Sequence, residues 1–247
     1  MFRYETIDGP NMGAFVFADH ASNAVPDWIG DLGLSNEDLS RHIAYDIGSE
    51  TVARTLCAVL DCAGLICGFS RLVIDANRDP EAPGLIPTES DGTPIPGNAA
   101  LTLPQREERI ERLYTPYHAK LGEKLDLRPG CLAISVHSFT PQLRGKPKRT
   151  TDIGLLVKDD SESAVSFITR MTAVAPDLQV DVNQPYSAYD LNFTVDHNVV
   201  PRGLPHLAIE VRQDHIGTDD DAERMAHILA RAIEPLLQEI PDARHDR

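Results

Sequence analysis

Residues Ala14-Phe-Val-Phe-Ala18 are apolar at five consecutive positions, and the run stops on Asp19-His20. A strand with one wet face alternates apolar and polar residues. A strand that is apolar throughout is covered on both faces. Such a strand belongs at the centre of a sheet with helices packed on either side, which makes the class α/β. Cys131–Val136 is a second strand-like run and ends at His137, and Leu207–Val211 is a third with Glu210 inside it. Leu65–Cys67, Leu72–Asp75, Ile153–Val157 and Leu178–Val182 are shorter strand candidates.

The helical signals fall between these runs. Ser35-Asn-Glu-Asp38 is an N-cap with acids in the first turn, and a helix is expected after Gly48 through Val52, Leu56 and Leu60. Thr102 and Gln105 form a capping box for a helix reaching about Leu125, with a kink expected at Pro116. Ala164–Val174 is another helix, and Thr218 with three aspartates caps a last one through Leu237. Residues 79–101 carry five prolines and three glycines, which excludes a helix or central strand. That segment is either a functional loop or a disordered connector. Residues 183–206 are loop-like, with Phe193–Val195 extended. No repeat or linker divides the chain, so residues 1–247 are expected to form one domain with a central mixed sheet flanked by helices.

Charge and composition narrow the function classes. A net charge of −15 repels phosphate backbones, so nucleic acid is not an expected partner. No stretch of 18 or more apolar residues spans a membrane, and the N-terminal MFRYETIDG lacks the apolar core of a signal peptide. The four cysteines form no C-x-x-C pair and sit in apolar surroundings, as buried thiols of a cytoplasmic protein do.

His20, the Asn77-Arg78 pair, His137 and Glu210 fall at or near the carboxyl ends of strand-like runs. Ligands of open α/β sheets bind at those ends. Two imidazoles plus a carboxylate form a catalytic zinc set that leaves one position open. No H-E-x-x-H is present, which excludes that helical arrangement. Glu210, in an otherwise apolar strand, is costly unless paired or functional, and it suits a general base. Arg71 is a candidate for stabilising an oxyanion, and Asn77 with Arg78 suits a substrate carboxylate. Asp75 is expected to pair with an arginine. Arg144, Lys146, Lys148 and Arg149 form the dense basic cluster of an acidic chain, either to meet a substrate carboxylate or as a solvated loop.

Several segments match a known family in one order along nearly the whole chain: Asp19-His-Ala-Ser-Asn23 with Val25-Pro26, His42-Ile-Ala-Tyr-Asp-Ile-Gly48, Ser70-Arg71 with Asp75-Ala-Asn-Arg78, His137-Ser-Phe-Thr-Pro141, Arg149 with Ile153-Gly154, and Pro201-Arg-Gly-Leu-Pro205 running into Glu210-Val-Arg-Gln-Asp214. On these the chain resembles the N-formylglutamate amidohydrolase (N-formylglutamate deformylase) family. The resemblance implies a zinc-carboxypeptidase-like (phosphorylase/hydrolase-like) fold and metal-dependent hydrolysis of an N-acyl amino acid, N-formyl-L-glutamate foremost. His20 and His137 match the two histidines of such sites. Asn23 stands where those sites carry a glutamate, so Asp46 is the preferred third ligand of Zn²⁺ or another divalent ion, with Asn23 as second choice and substrate contact. Asn77-Arg78 matches the carboxylate clamp and Glu210 the general base. Arg149, Arg144 and Arg202 are further candidates for substrate contact. His197 is either a supporting group or a surface histidine, and His118, His227 and His245 have no assigned role. The alternatives are another N-acyl amino acid or small peptide amide as substrate, and a non-catalytic carboxylate-metabolite binder that keeps the fold without metal.

Overall fold

The computed structural model describes residues 3–158 and 160–239, so His245 lies outside the described residues. Its strands are β1 (Tyr4–Ile7), β2 (Asn11–Ala18), β3 (Cys62–Cys67), the two-residue pair β4 (Glu89–Ser90) and β5 (Thr93–Pro94), β6 (Leu132–Phe139), β7 (Ile153–Leu156), β8 (Val180–Val182) and β9 (His206–Arg212). All but β4 and β5 form one mixed sheet in the order β1-β3-β2-β6-β9-β7-β8. The central strands β3, β2, β6 and β9 run parallel, while β1 and β7 pair antiparallel to β3 and β9.

The helices are α1 (Asn36–Leu39), α2 (Ser49–Val59), α3 (Leu103–Arg109), α4 (Thr115–Asp126), α5 (Ser161–Val174), α6 (Phe193–Asn198) and α7 (Asp219–Glu239). Alternate residues of each strand feed opposite cores. Val16, Ile134 and Ile209 pack with α2, α5 and α7 on one face. Phe15, Phe17, Ala133 and Ala208 pack on the other face with α4, α6 and the segment around Phe69–Ile95. His137 and Glu210 continue the second set, so both point to the face covered by that segment. The four cysteines are free and buried, as expected. Among the described residues no helix is long and apolar enough to cross a membrane.

Several sequence expectations are corrected or refined. Leu72–Asp75 is not a strand: its apolar side chains are fully buried, but turn contacts hold it, including Asp75 N–H to Leu85 O at 2.7 Å. Asn77-Arg78 therefore follows a buried turn rather than a strand end. Phe193–Val195 opens helix α6 instead of lying extended. The helix expected from Thr102 continues without a break, but a π-helical stretch at Ile110–Tyr114 separates α3 from α4. A wider turn there accommodates Pro116, which has no N–H and crowds the preceding carbonyls. Residues 79–101 are folded, with the β4–β5 hairpin at the surface and Leu85, Ile86 and Ile95 buried beneath it.

Candidate metal centre and active-site cleft

His20, Asp46 and His137 converge although they are far apart in sequence, with ligand atoms all within 4.8 Å of one another. Strand β2 ends one residue before Asp19 and delivers His20 to the sheet edge. Asp46 arrives on a turn tied back by its own N–H to His20 O at 2.8 Å. Gly48 makes that turn possible: it has φ of 79°, and a Cβ there would lie 2.3 Å from Ile216 O. His137 comes from β6 and stands in register with Glu210 of β9. Gly154 of β7 lies opposite Glu210 on its other side, where an added Cβ would meet Gln184 O at 2.0 Å.

Each ring has one nitrogen toward Asp46 and the other toward a second carboxylate. His20 Nδ1 lies 3.4 Å and His137 Nδ1 2.9 Å from Asp46 Oδ2. His20 Nε2 meets Asp75 Oδ1 at 2.6 Å, and His137 Nε2 is 3.5 Å from Asp19 Oδ2. Metal-binding histidines are held this way, with the outer nitrogen donating to a carboxylate. Arg71 spans Asp46 Oδ1 and Asp75 Oδ2, at 3.1 Å to each. Buried His20 Nδ1 has no hydrogen-bond partner, an orphan that a cation in the cage would satisfy. Two imidazoles and a carboxylate with an open side fit a catalytic divalent cation.

Electrostatics point the same way. Asp19, Asp46, Asp75 and Glu210 are buried around a centre whose permanent cations, among the described residues, are Arg71 and, at 3.7 Å from Asp75, Arg78. A divalent cation or two imidazolium protons closes that balance. Burial opposes charge on both rings, and Arg71 opposes it at His20, yet Asp75 and Asp46 raise His20 while Asp19 and Asp46 raise His137. Burial also works against charged Asp46 and Asp75, but the histidines and Arg71 hold both well below the usual carboxylate range. Glu210 differs. Burial pushes it up to about 7, Asp46 adds to the rise, and His137 and Arg71 only partly offset it. Its Oε2 is buried without a partner.

These groups floor a cleft of about 440 Å³, walled by Asn77, Arg78, Phe139, Tyr186 and Leu191 and, from the proline-rich segment, by Pro87, Glu89, Ser90 and Asp91. A wider groove of about 820 Å³ lies at the opposite end of β9, lined by Pro205 and His206, and contains none of the cluster.

The family model for N-formylglutamate amidohydrolase matches residues 13–217, which include every residue of this cluster. The chain belongs to that family. Among solved structures, a gene product of Agrobacterium tumefaciens is 31% identical with a TM-score of 0.91, the alignment covering 97% of this chain and 96% of the other. An N-formylglutamate amidohydrolase of Ralstonia eutropha JMP134 is 20% identical with a TM-score of 0.71, over 96% and 97% of the two chains, which shows a shared fold. No curated protein matches the sequence.

Within this N-formylglutamate amidohydrolase family member, the other expected site residues divide. Asn77 accepts the Thr194 N–H through Oδ1 at 2.8 Å, which caps α6 and leaves its amide N–H groups for the cleft. Arg78 lines the cleft with its side chain about a third exposed (34%). Arg149 is not in the lining. It stacks over Phe139 and Tyr186 and donates to the Tyr186 hydroxyl at 3.2 Å. Arg144 binds hairpin residues Asp91 and Gly92 instead of reaching in. Asn23 is exposed, outside the lining, and spends its amide on Leu39 O at 2.9 Å. Arg202 pairs with Asp126 at 2.8 Å beside a separate surface pocket. His197 stacks on Phe193 next to His118, which binds Ala76 O and so supports the backbone just before Asn77. Tyr186 and Tyr117 escape sequence reading because only tertiary contacts reveal them, while Asp19 and His42 stand in matching segments without an assigned role and only the structure brings them to the cluster and the cleft wall.

Proposed function

We propose that this chain is a zinc-dependent amidohydrolase of N-acyl amino acids and that N-formyl-L-glutamate is its first substrate to test. The observation that carries this reading is the register pairing of His137 with Glu210, an unpartnered buried carboxylate facing the His-Asp-His cluster in one cleft. His20, Asp46 and His137 would hold the cation. When bound, it supplies Lewis acidity toward a carbonyl and makes water acidic enough to react near neutral pH.

The side chains do the rest. Glu210, raised to about 7, accepts the proton of the attacking water and passes it to the leaving amine. Asn77 and Arg78 bind the α-carboxylate, the amide with its free N–H groups and the guanidinium with its fork. Arg71 fixes Asp46 and places positive charge beside the attacked carbonyl. Tyr186 accepts from Arg149, so its own O–H is free to donate into the cleft, and Arg149 serves the substrate through that phenol. Tyr186→Phe is expected to lower kcat/KM roughly ten- to a hundredfold, the worth of one hydrogen bond to a charged group. Unchanged kcat/KM in that variant removes Tyr186 from the site.

The deciding test pairs metal analysis of the purified chain with hydrolysis assays on N-formyl, N-acetyl and longer N-acyl amino acids. One zinc per chain, with turnover that a chelator abolishes and zinc restores, is the expected result. Stoichiometric metal without turnover of any of them supports a carboxylate binder, and a metal-free active chain defeats the proposal.

A further inference from the structure

Tyr117, on helix α4, is fully buried, and its hydroxyl donates to Asp19 Oδ1 at 2.5 Å. Asp19 is itself 1% exposed. Its second oxygen, Oδ2, makes no hydrogen bond and lies 3.5 Å from His137 Nε2. The counterpart pair on the other ring is held much more heavily. Asp75 receives Arg71 at 3.1 Å and the Asn77 N–H at 2.9 Å, with Arg78 at 3.7 Å, before it meets His20. Among the described residues Tyr117 is the one hydrogen-bond donor to the Asp19 carboxylate, whose other oxygen faces His137.

We infer that Tyr117 is a positioning residue for the metal centre: through Asp19 it fixes the orientation and tautomer of His137, 20 residues away on the neighbouring strand. The inference rests on the cation-centre reading given above. With His137 Nδ1 turned to the cage, the single proton of a neutral imidazole must sit on Nε2, and it needs a fixed acceptor. A carboxylate on a free rotor is a poor one. The phenol of Tyr117 pins one carboxylate oxygen and thereby aims the other at the ring. Its ring is locked in turn by Phe69, edge to face at 6.4 Å. Burial raises the phenol far above its usual range, so it stays a donor at any working pH. Helix α4 thus couples the core of the second layer to a ligand on the sheet.

The test uses the whole chain and reads cation affinity by chelator competition with zinc, alongside the visible spectrum of the cobalt-loaded protein. Tyr117→Phe removes one oxygen and is expected to weaken zinc binding roughly ten- to a hundredfold, as loss of an outer partner does, and to alter the cobalt spectrum. kcat falls while KM changes little, because the phenol lies outside the cleft lining. Phe69→Leu loosens the packing of the Tyr117 ring but keeps its hydroxyl, and it is expected to weaken zinc binding by much less than Tyr117→Phe does. If Tyr117→Phe does not fold, Asp19→Asn takes its place with the same expected loss. Wild-type zinc affinity and cobalt spectrum in Tyr117→Phe, or in Asp19→Asn in its stead, overturn the inference, as does equal weakening by Phe69→Leu. A wild-type chain that binds no zinc at all defeats the functional reading instead.

Discussion

Glu210→Gln is expected to retain one bound cation per chain and to lose roughly two to four orders of magnitude in kcat. Glutamine keeps the volume and a carbonyl oxygen in a strand position buried between β6 and β7, so the sheet has no reason to change. It neither accepts nor releases a proton at neutral pH. The three proposed ligands are untouched, because Glu210 is paired in register with His137 but lies outside the His-Asp-His cluster. Metal analysis and steady-state kinetics on the same preparation separate the two effects. Turnover near the wild-type rate would assign proton transfer elsewhere, and loss of metal would make Glu210 a ligand.

As the proposed base, Glu210 is also expected to set the acid side of the pH profile. A base works only as the carboxylate, and burial raises Glu210 to about 7 against an ordinary value of 4.5. Activity is therefore expected to fall as pH drops through the folded-state value, when the proton goes on and the base is lost. A cation seated nearby favours the carboxylate and draws that value down, which places the limb in kcat/KM at or below about 7. Glu210→Gln is expected to lack the limb. A wild-type profile flat down to pH 5 argues against a raised Glu210 as the base.

The sequence disclosed those parts of the fold that obey local rules. β2, β6 and β9 are legible because strands covered on both faces must be apolar at nearly every position. The capping boxes at Ser35 and Thr102 are legible because donor and acceptor lie three residues apart. Leu72-Val-Ile74 has the same apolar signature as a strand, yet turn bonds hold it, and periodicity cannot tell a buried turn from a short strand. α6 was unreadable for a related reason. It is six residues long, and its N-terminus is satisfied by Asn77, 117 residues before Thr194. β1 shows no alternation: Tyr4 and Ile7 are half-buried at its ends with exposed Glu5 and Thr6 between them, and four residues carry too little pattern to read. Within the site, the residues at strand ends could be found by position. Tyr117 and Tyr186 could not, nor could the partners of Asp19, since each meets its partner dozens of residues away.

Asp46→Asn and Asn23→Ala form the sharpest contrast for the third ligand. Asp46→Asn is expected to weaken zinc binding by more than the roughly hundredfold that marks loss of an outer partner, and to carry activity down with it. A neutral amide oxygen is a poor zinc donor beside a carboxylate. The change also strips charge from one oxygen that holds Arg71 and another that meets His137 Nδ1 and the Ser138 N–H. Asn23→Ala removes one exposed hydrogen bond to Leu39 O, so it is expected to cost about 1 kcal/mol of stability or less and to leave zinc content and turnover intact. Chelator titration, melting temperature and turnover on both variants decide the question. Retained zinc in Asp46→Asn together with lost zinc in Asn23→Ala would move the ligand to Asn23, and with it the Asn23-containing loop into the cleft. Because Asn23 is turned to solvent while Asp46 sits between both histidines, that outcome requires the Ala21–Ala24 segment to refold around the cation.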